Sequence, residues 1–420
     1  MARFRIIGET PLVGNVKISG AKNEALKVIA LSLVIRNQFN ISNAPQILDV
    51  LNQGRILKST GSTVIYENDN IIINTKPATN FDLTNTIAGK LRASIVFAGP
   101  LLARFKSVKL PYPGGCLIGA RSIETHLDAF RQAGAKISEH KRIFSIKIDE
   151  FRDSTIILKE KSVTATENLI MYASAIPFKT KIENCAIEPE IINLLKNLRK
   201  SGAQIEGIGT RSLTIKGSSS LQLKNYDIIP DRVEAGTFLC AMIASGGEGE
   251  ISPYPTDQLD SFTRLVKSTG ANFEVINNKA IVKKSHFPLK PFSLATGPFP
   301  EFPTDLQSPM SLLALRADGV SMIVENMFEN RLGYINVLKK MGADTSLIDA
   351  KTAEINGPCD LSSANIESPD LRSGITLLLA ATMSNGETFI DKAEVIDRGY
   401  EKVDEKLRTL GANIERVEHE

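Results

Sequence analysis

HLDAFRQAGAKIS, residues 126–138, reads as an amphipathic helix that ends in a glycine and gives way to a strand. Gly134 stands at the position after a helix where the left-handed conformation is common, which glycine adopts without steric cost. The same unit returns in VLNQGRILKSTGSTVIY (50–66), LLKNLRKSGAQIE (194–206), FTRLVKSTGANFEV (262–275), VLKKMGADTSL (337–347) and EKLRTLGANIERV (405–417). The marker glycines are Gly61, Gly134, Gly202, Gly270, Gly342 and Gly411, spaced by 73, 68, 68, 72 and 69 residues. So regular a period marks one supersecondary unit used six times.

A second helix recurs in phase, richer in Ala and Leu as a buried helix would be. Its copies lie at 23–34, 90–105, 166–176, 232–245, 306–317 and 371–384. A short strand follows each, and two strands follow each marker glycine. Each unit is therefore helix, strand, helix, strand, strand, with a further strand leading into the next. The sixth copy runs out of chain after Gly411. RFRIIGE (3–9) is similar to SLTIKG (212–217) and TAEING (352–357), and PLVGNVKISG (11–20) leads from it into the first helix, so the N-terminal strands are expected to complete the last unit and cover an edge. A chain of 420 residues exceeds the usual size of one core. The simplest division is three units plus three, with one domain at 22–229 and the other at 1–21 and 230–420. The period alone leaves two plus four open.

The starts of the six apolar helices carry an unusual polar load: Lys22, Asn23, Lys90, Arg92, Lys161, Ser162, Asp231, Arg232, Glu234, Asp305, Asp370 and Arg372. Ser162, Asp231, Asp305 and Asp370 are explicable as N-caps. The cations are not, because positive charge is unfavourable at a helix N-terminus. They point to an anionic ligand held where unpaired N–H groups converge.

One loop adds a reactive group. In YPGGCLIGAR (112–121), Pro113 and two glycines precede Cys116, and Arg121 lies five residues on. A nearby guanidinium favours the thiolate, so Cys116 is a candidate proton donor or nucleophile near neutral pH.

Composition narrows the function classes. A net charge of +3 is too small to argue for a nucleic-acid partner. The cysteines at 116, 185, 240 and 359 contain no CxxC pair, and the four histidines are scattered. Neither a disulfide framework nor a metal site is expected, and a reducing cytoplasm suits the chain. The N-terminus reads as a strand and not as a signal peptide. The longest apolar stretch, SIVFAGPLLARF (94–105), is too short to span a bilayer.

Taken in order, GAKN (20–23), LRAS (91–94), PGGCLIGAR (113–121), ATEN (165–168), PDRVEAGTF (230–238), FPTDLQ (302–307), FENR (328–331) and DRGYE (397–401) resemble the UDP-N-acetylglucosamine enolpyruvyl transferases over essentially the whole chain. The resemblance implies an inside-out α/β barrel of two domains with three repeats each, settling the division. It implies transfer of the enolpyruvyl group of phosphoenolpyruvate to the 3′-hydroxyl of UDP-N-acetylglucosamine with release of phosphate, the first committed step of peptidoglycan synthesis. No cofactor or metal is implied. The partners are the two small-molecule substrates, with no nucleic acid, membrane or obligate protein partner, and the location is cytoplasmic.

Residue by residue, Asp305 matches the base and Cys116 the proton donor to C3, which fosfomycin alkylates in the family. Burial or hydrogen bonding is expected to raise the Asp305 pKa toward that of a useful base. Lys22, Arg121 and Arg398 match phosphate and carboxylate clamps, with Arg92, Arg331 and Arg372 as a supporting cationic shell. Asn23 matches a sugar-nucleotide contact. Arg121, Ser122, Ile123, Glu124 and Thr125, then Lys161, Ser162, Val163 and Thr164, match uridine and diphosphate contacts, and Met327 another. Asp370 is expected to orient Arg398 or carry protons.

The sequence departs from the family at Ser122, Ile123 and Glu124, where Pro-Val-Asp is common, and at Thr164, where Gly is common. Glu24 replaces a small residue and Leu117 an Ala. The phosphoenolpyruvate machinery is thus intact while the nucleotide contacts are altered. Two rivals remain: the related enolpyruvylshikimate-phosphate synthases, and a silent paralogue that only binds a nucleotide sugar. The cysteine loop argues against the first. The retained acid and base argue against the second.

Overall fold

The computed structural model describes residues 2–114 and 122–418. The Cα positions fall into two compact units, one holding residues 2–19 and 230–418 and the other 20–114 and 122–229. Within each unit three apolar helices pack on one another: Lys22–Ile35, Ala98–Phe105 and Val163–Ser174 in one, and Arg232–Ala244, Gln307–Ala314 and Leu371–Met383 in the other. Every residue of Arg232–Ala244 is buried, as is all of Lys22–Ile35 but Asn23. Sheets with one buried and one wetter face lie around these helices, as in Thr63–Glu67 and Lys179–Glu183. Helices inside and sheets outside make this an inside-out α/β barrel fold.

There are six sheets among the described residues, three per unit: five have four strands, and one has three, Ser107–Pro111, Ile143–Lys147 and Lys136–His140. In the sheet ordered Gln204–Glu206, Ser212–Lys216, Lys179–Glu183, Ser154–Ile157, the last two strands are parallel and joined through the helix Val163–Ser174. Of the two strands after Gly202, Ser212–Lys216 pairs antiparallel with Lys179–Glu183, and Gln204–Glu206 pairs antiparallel with Ser212–Lys216 at the edge. All six marker glycines have φ between 85° and 116°. At four of them the next residue closes the helix by donating five residues back: Ala135 to Phe130, Ala203 to Leu198, Ala343 to Leu338 and Ala412 to Leu407, at 2.9–3.2 Å. These are Schellman closures, in which an orphan carbonyl is satisfied only because the glycine is left-handed.

The N-terminal strand Ala2–Ile7 lies between Glu387–Asp391 and Asn413–Glu418, antiparallel to both, and completes the sixth sheet as expected. One arrangement was not foreseen. Val13–Lys17 precedes the helix Lys22–Ile35 in sequence but pairs with Glu248–Ser252, and Asn225–Asp227 precedes Arg232–Ala244 but pairs with Gln38–Ser42. At each passage of the chain the edge strand stays with the unit being left.

The second repeat also differs from its sequence reading. Residues 90–105 do not form one helix: Arg92–Phe97 is 3₁₀ and only Ala98–Phe105 is α-helical. Pro100 has no N–H to return to Val96, so the α ladder cannot begin earlier. Gly99 sits against the neighbouring helix so closely that a Cβ would stand 2.2 Å from the Asn168 carbonyl oxygen.

Candidate active site

In the unit that holds residues 20–114 and 122–229, the expected polar residues do lie at helix starts. Lys22 is the first residue of Lys22–Ile35, and its Nζ lies 2.7 Å from Asp49 Oδ2, with both side chains largely buried. Asn23, beside it, is half-buried. Arg92 opens the 3₁₀ helix and its Nη2 donates to the Ser122 carbonyl at 3.3 Å. Ser122 Oγ accepts from Glu124 N at 2.9 Å, so this serine starts the helix Glu124–Gln132 with a local side-chain turn. Ile123 is buried in the core, and its carbonyl accepts from His126 N and Leu127 N. Glu124 is exposed and pairs with Arg131 at 2.5 Å.

Residues 122–126 are bonded to residues 160–164. Thr125 Oγ1 donates to Glu160 Oε1 at 2.8 Å, and His126 Nε2 lies 3.0 Å from Thr164 Oγ1. Ser162 caps the helix Val163–Ser174 by accepting from Ala165 N. Lys161 is exposed and Val163 half-buried. Cys116 and Arg121 lie outside the described residues.

In the other unit, Asp305 sits in the short 3₁₀ turn Thr304–Leu306 that leads into Gln307–Ala314. Its Oδ1 accepts from Arg331 Nη2 at 2.8 Å and its Oδ2 from Arg372 Nη2 at 3.1 Å. Arg331 also donates to Thr304 Oγ1 at 2.7 Å, and Arg372 to the Tyr400 hydroxyl at 3.2 Å. The Asp305 side chain keeps 24% exposure against 5% and 8% for the arginines, so the carboxylate is the reachable member of the trio. Burial alone would raise its pKa. The two guanidiniums more than offset burial and hold it below the usual carboxylate range. The raised pKa expected from the sequence is thereby corrected.

Asp370 is the N-cap of Leu371–Met383. Its Oδ1 accepts from Arg372 N and Ser373 N, and its Oδ2 from Ser373 Oγ. Both oxygens accept from its own helix start, so Asp370 caps Leu371–Met383. Met327 is half-buried, and its N–H donates to Glu325 Oε1 at 2.7 Å. Arg398 is half-buried, between Ala393–Ile396 and Val403–Thr409.

Several organising residues went unrecognised in the sequence. Buried Glu325 accepts from Thr296 Oγ1, Thr304 Oγ1, Met327 N and Phe328 N, tying the Met327 segment to the turn that carries Asp305. Asp49 and Glu325 come from stretches without a motif of their own, whereas Thr304 lies inside FPTDLQ and Tyr400 inside DRGYE, where no role was read for either. The remaining cysteines, Cys185, Cys240 and Cys359, are buried, and burial pushes the Cys185 thiol up to about 12. Among the described residues no group of three His, Cys, Asp or Glu side chains is placed to hold a metal ion, and no helix is long and apolar enough to cross a membrane.

A family described as EPSP synthase (3-phosphoshikimate 1-carboxyvinyltransferase) matches residues 6–407. The solved enolpyruvyl transferase NikO from Streptomyces tendae superposes with a TM-score of 0.90 at 22% identity, covering 100% of this chain and 99% of that one. The EPSP synthase from Acinetobacter baumannii gives 0.72 at 16%, covering both chains fully. At such identities the likeness is one of fold. The fold, the family match and the cationic helix starts define an enolpyruvyl transferase.

Closer relatives narrow the class. The UDP-N-acetylglucosamine 1-carboxyvinyltransferase of Campylobacter hominis is 41% identical over 99% of each chain, and that of Campylobacter fetus 40% identical over 99% of this chain and 100% of that one. One from Carboxydothermus hydrogenoformans, numbered 2, is 38% identical over 99% of this chain and 100% of that one. The chain belongs to the UDP-N-acetylglucosamine 1-carboxyvinyltransferase branch of the enolpyruvyl transferase family.

Proposed function

We propose that this chain joins the enolpyruvyl group of phosphoenolpyruvate to the 3′-hydroxyl of UDP-N-acetylglucosamine and releases phosphate, as the entry step of peptidoglycan synthesis in the cytoplasm. The observation that carries the reading is Asp305 held between Arg331 and Arg372 and still reachable. Asp305 takes the hydroxyl proton, the sugar oxygen bonds to C2, and Cys116 delivers a proton to C3. C3 then loses a proton and the C2–O bond to phosphate breaks, its electron pair leaving with phosphate. Nothing is oxidised or reduced, so the balance needs no cofactor.

A carboxylate with a depressed pKa is a weak base in the resting chain. An anionic substrate competes for Arg331 and Arg372, and each guanidinium it draws away raises the basicity of Asp305. The same cations then stabilise the ketal and the departing phosphate. Lys22, Arg121 and Arg398 take phosphate and carboxylate oxygens, Lys as a point charge and Arg as a planar fork. Asn23, residues 121–125 and 161–164, and Met327 hold the sugar nucleotide. The two compact units are the two three-repeat domains of this reading, and its only partners are the small-molecule substrates.

The test is phosphate release from phosphoenolpyruvate with each acceptor. Release with UDP-N-acetylglucosamine and none with shikimate 3-phosphate is expected. Release with shikimate 3-phosphate alone overturns the acceptor. Nucleotide-sugar binding without release makes the chain a binder.

A further inference from the structure

The ATEN segment, 165–168, has a buried member that the mechanism leaves unused. Asn168 Oδ1 accepts from Gly99 N at 2.7 Å, which fixes the orientation of the amide. Its Nδ2 therefore donates, to the Ile95 carbonyl at 2.8 Å and to His126 Nδ1 at 3.0 Å. With Nδ1 accepting, the imidazole proton sits on Nε2. That proton points at Thr164 Oγ1, 3.0 Å away. The ring stays neutral: it is 3% exposed, and burial with the charge of Arg92 pushes its pKa down to about 3. Thr164 thus receives a hydrogen bond, and its own hydroxyl hydrogen is left to give to something else. Thr164 is half-buried, within the 161–164 segment assigned above to the nucleotide.

We propose that Asn168, His126 and Thr164 form a directed relay that presents the Thr164 hydroxyl as a hydrogen-bond donor to the diphosphate of the nucleotide sugar. The inference rests on the acceptor assigned under the proposed function. Thr164 is the binding residue; His126 and Asn168 are positioning residues. Because the relay starts at Ile95 and Gly99, it also locks the start of Val163–Ser174 to the segment that follows Arg92 and to the helix Glu124–Gln132. A glycine at 164 would offer no such donor. The threonine replaces close backbone approach with a side-chain bond of fixed direction.

Two variants and one spectrum test this. Thr164→Val keeps the shape and removes the hydroxyl, so KM for UDP-N-acetylglucosamine should rise roughly tenfold, with kcat and KM for phosphoenolpyruvate within about twofold. Thr164→Ser should stay close to the parent. ¹⁵N spectra of the ligand-free chain labelled at histidine should show His126 as the Nε2–H tautomer, untitrated between about pH 5 and 8. An unchanged KM in Thr164→Val, equal losses in Thr164→Ser and Thr164→Val, or an Nδ1–H tautomer overturns the relay. Parent turnover is measured alongside. Absence of turnover with UDP-N-acetylglucosamine counts against the proposed acceptor, while the tautomer, read without ligand, still decides the relay.

Discussion

Arg372 reaches back 67 residues in sequence to place its Nη2 3.1 Å from Asp305 Oδ2. Its own backbone N–H is held by Asp370, and its other terminal nitrogen by Tyr400. The pair ties two helix starts together, and with Arg331 it keeps Asp305 ionised. The carboxylate therefore stabilises the fold above its unfolded pKa of about 3.8, and that contribution is lost as pH falls toward the lower folded value. Asp305→Asn should be less stable than the parent at pH 7 in urea, with the gap unchanged down to about pH 5 and narrowing below about pH 4. A gap already closing between pH 7 and 5 would show a carboxyl with an ordinary or raised pKa.

Glu24 has the opposite sign. Burial raises it to about 7, although Tyr226, Asn193 and the Ile229 N–H all donate to it. Between its ordinary 4.5 and about 7 the folded chain keeps a proton that the unfolded chain has lost, so stability falls as pH rises through that window. Glu24→Gln mimics the protonated form. Relative to the parent it should gain on the order of 3 kcal/mol in going from pH 4.5 to 8, read by urea unfolding at both. A constant difference would contradict it.

Lys22 and Asp49 form a buried pair 2.7 Å apart. Removing the acid leaves an ammonium without its carboxylate in a site withdrawn from water. Asp49→Ala should cost roughly 3 kcal/mol in chemical unfolding. It should also weaken phosphoenolpyruvate, measured as KM, because Lys22 loses its anchor. A stable variant with normal KM would remove Asp49 from the account.

Thiol chemistry separates the cysteines. Cys185, Cys240 and Cys359 are buried, and burial raises all three thiols. Native chain treated with fosfomycin or iodoacetamide near neutral pH should carry the label on Cys116 alone, as peptide mapping by mass spectrometry would show. Label on a second cysteine before unfolding would contradict the assignment.

The repeats were open to reading because each ends in a glycine that has to be left-handed, and because Ala2–Ile7 carries the pattern of the strands it stands in for. The exchanged strands Val13–Lys17 and Asn225–Asp227 were not, since their pattern suits either neighbour and only tertiary pairing chooses. Candidate residues at helix starts were visible through charge set against the helix dipole. Their partners Asp49 and Glu325 were hidden because each comes from a stretch that has no motif, and Tyr400, though inside DRGYE, because only the fold shows that it meets Arg372 from 28 residues away. The Asp305 pKa was misjudged for the same reason: the sequence shows an acid, and the fold supplies two arginines.

Addition followed by elimination makes C3 a methyl group before it becomes a vinyl carbon again, and this can be seen directly. The decisive measurement is mass spectrometry of product formed from phosphoenolpyruvate and UDP-N-acetylglucosamine in D₂O. The account predicts enolpyruvyl UDP-N-acetylglucosamine bearing solvent deuterium at C3, formed one for one with phosphate and lost in Asp305→Ala. Absence of product, or product free of deuterium, would contradict it.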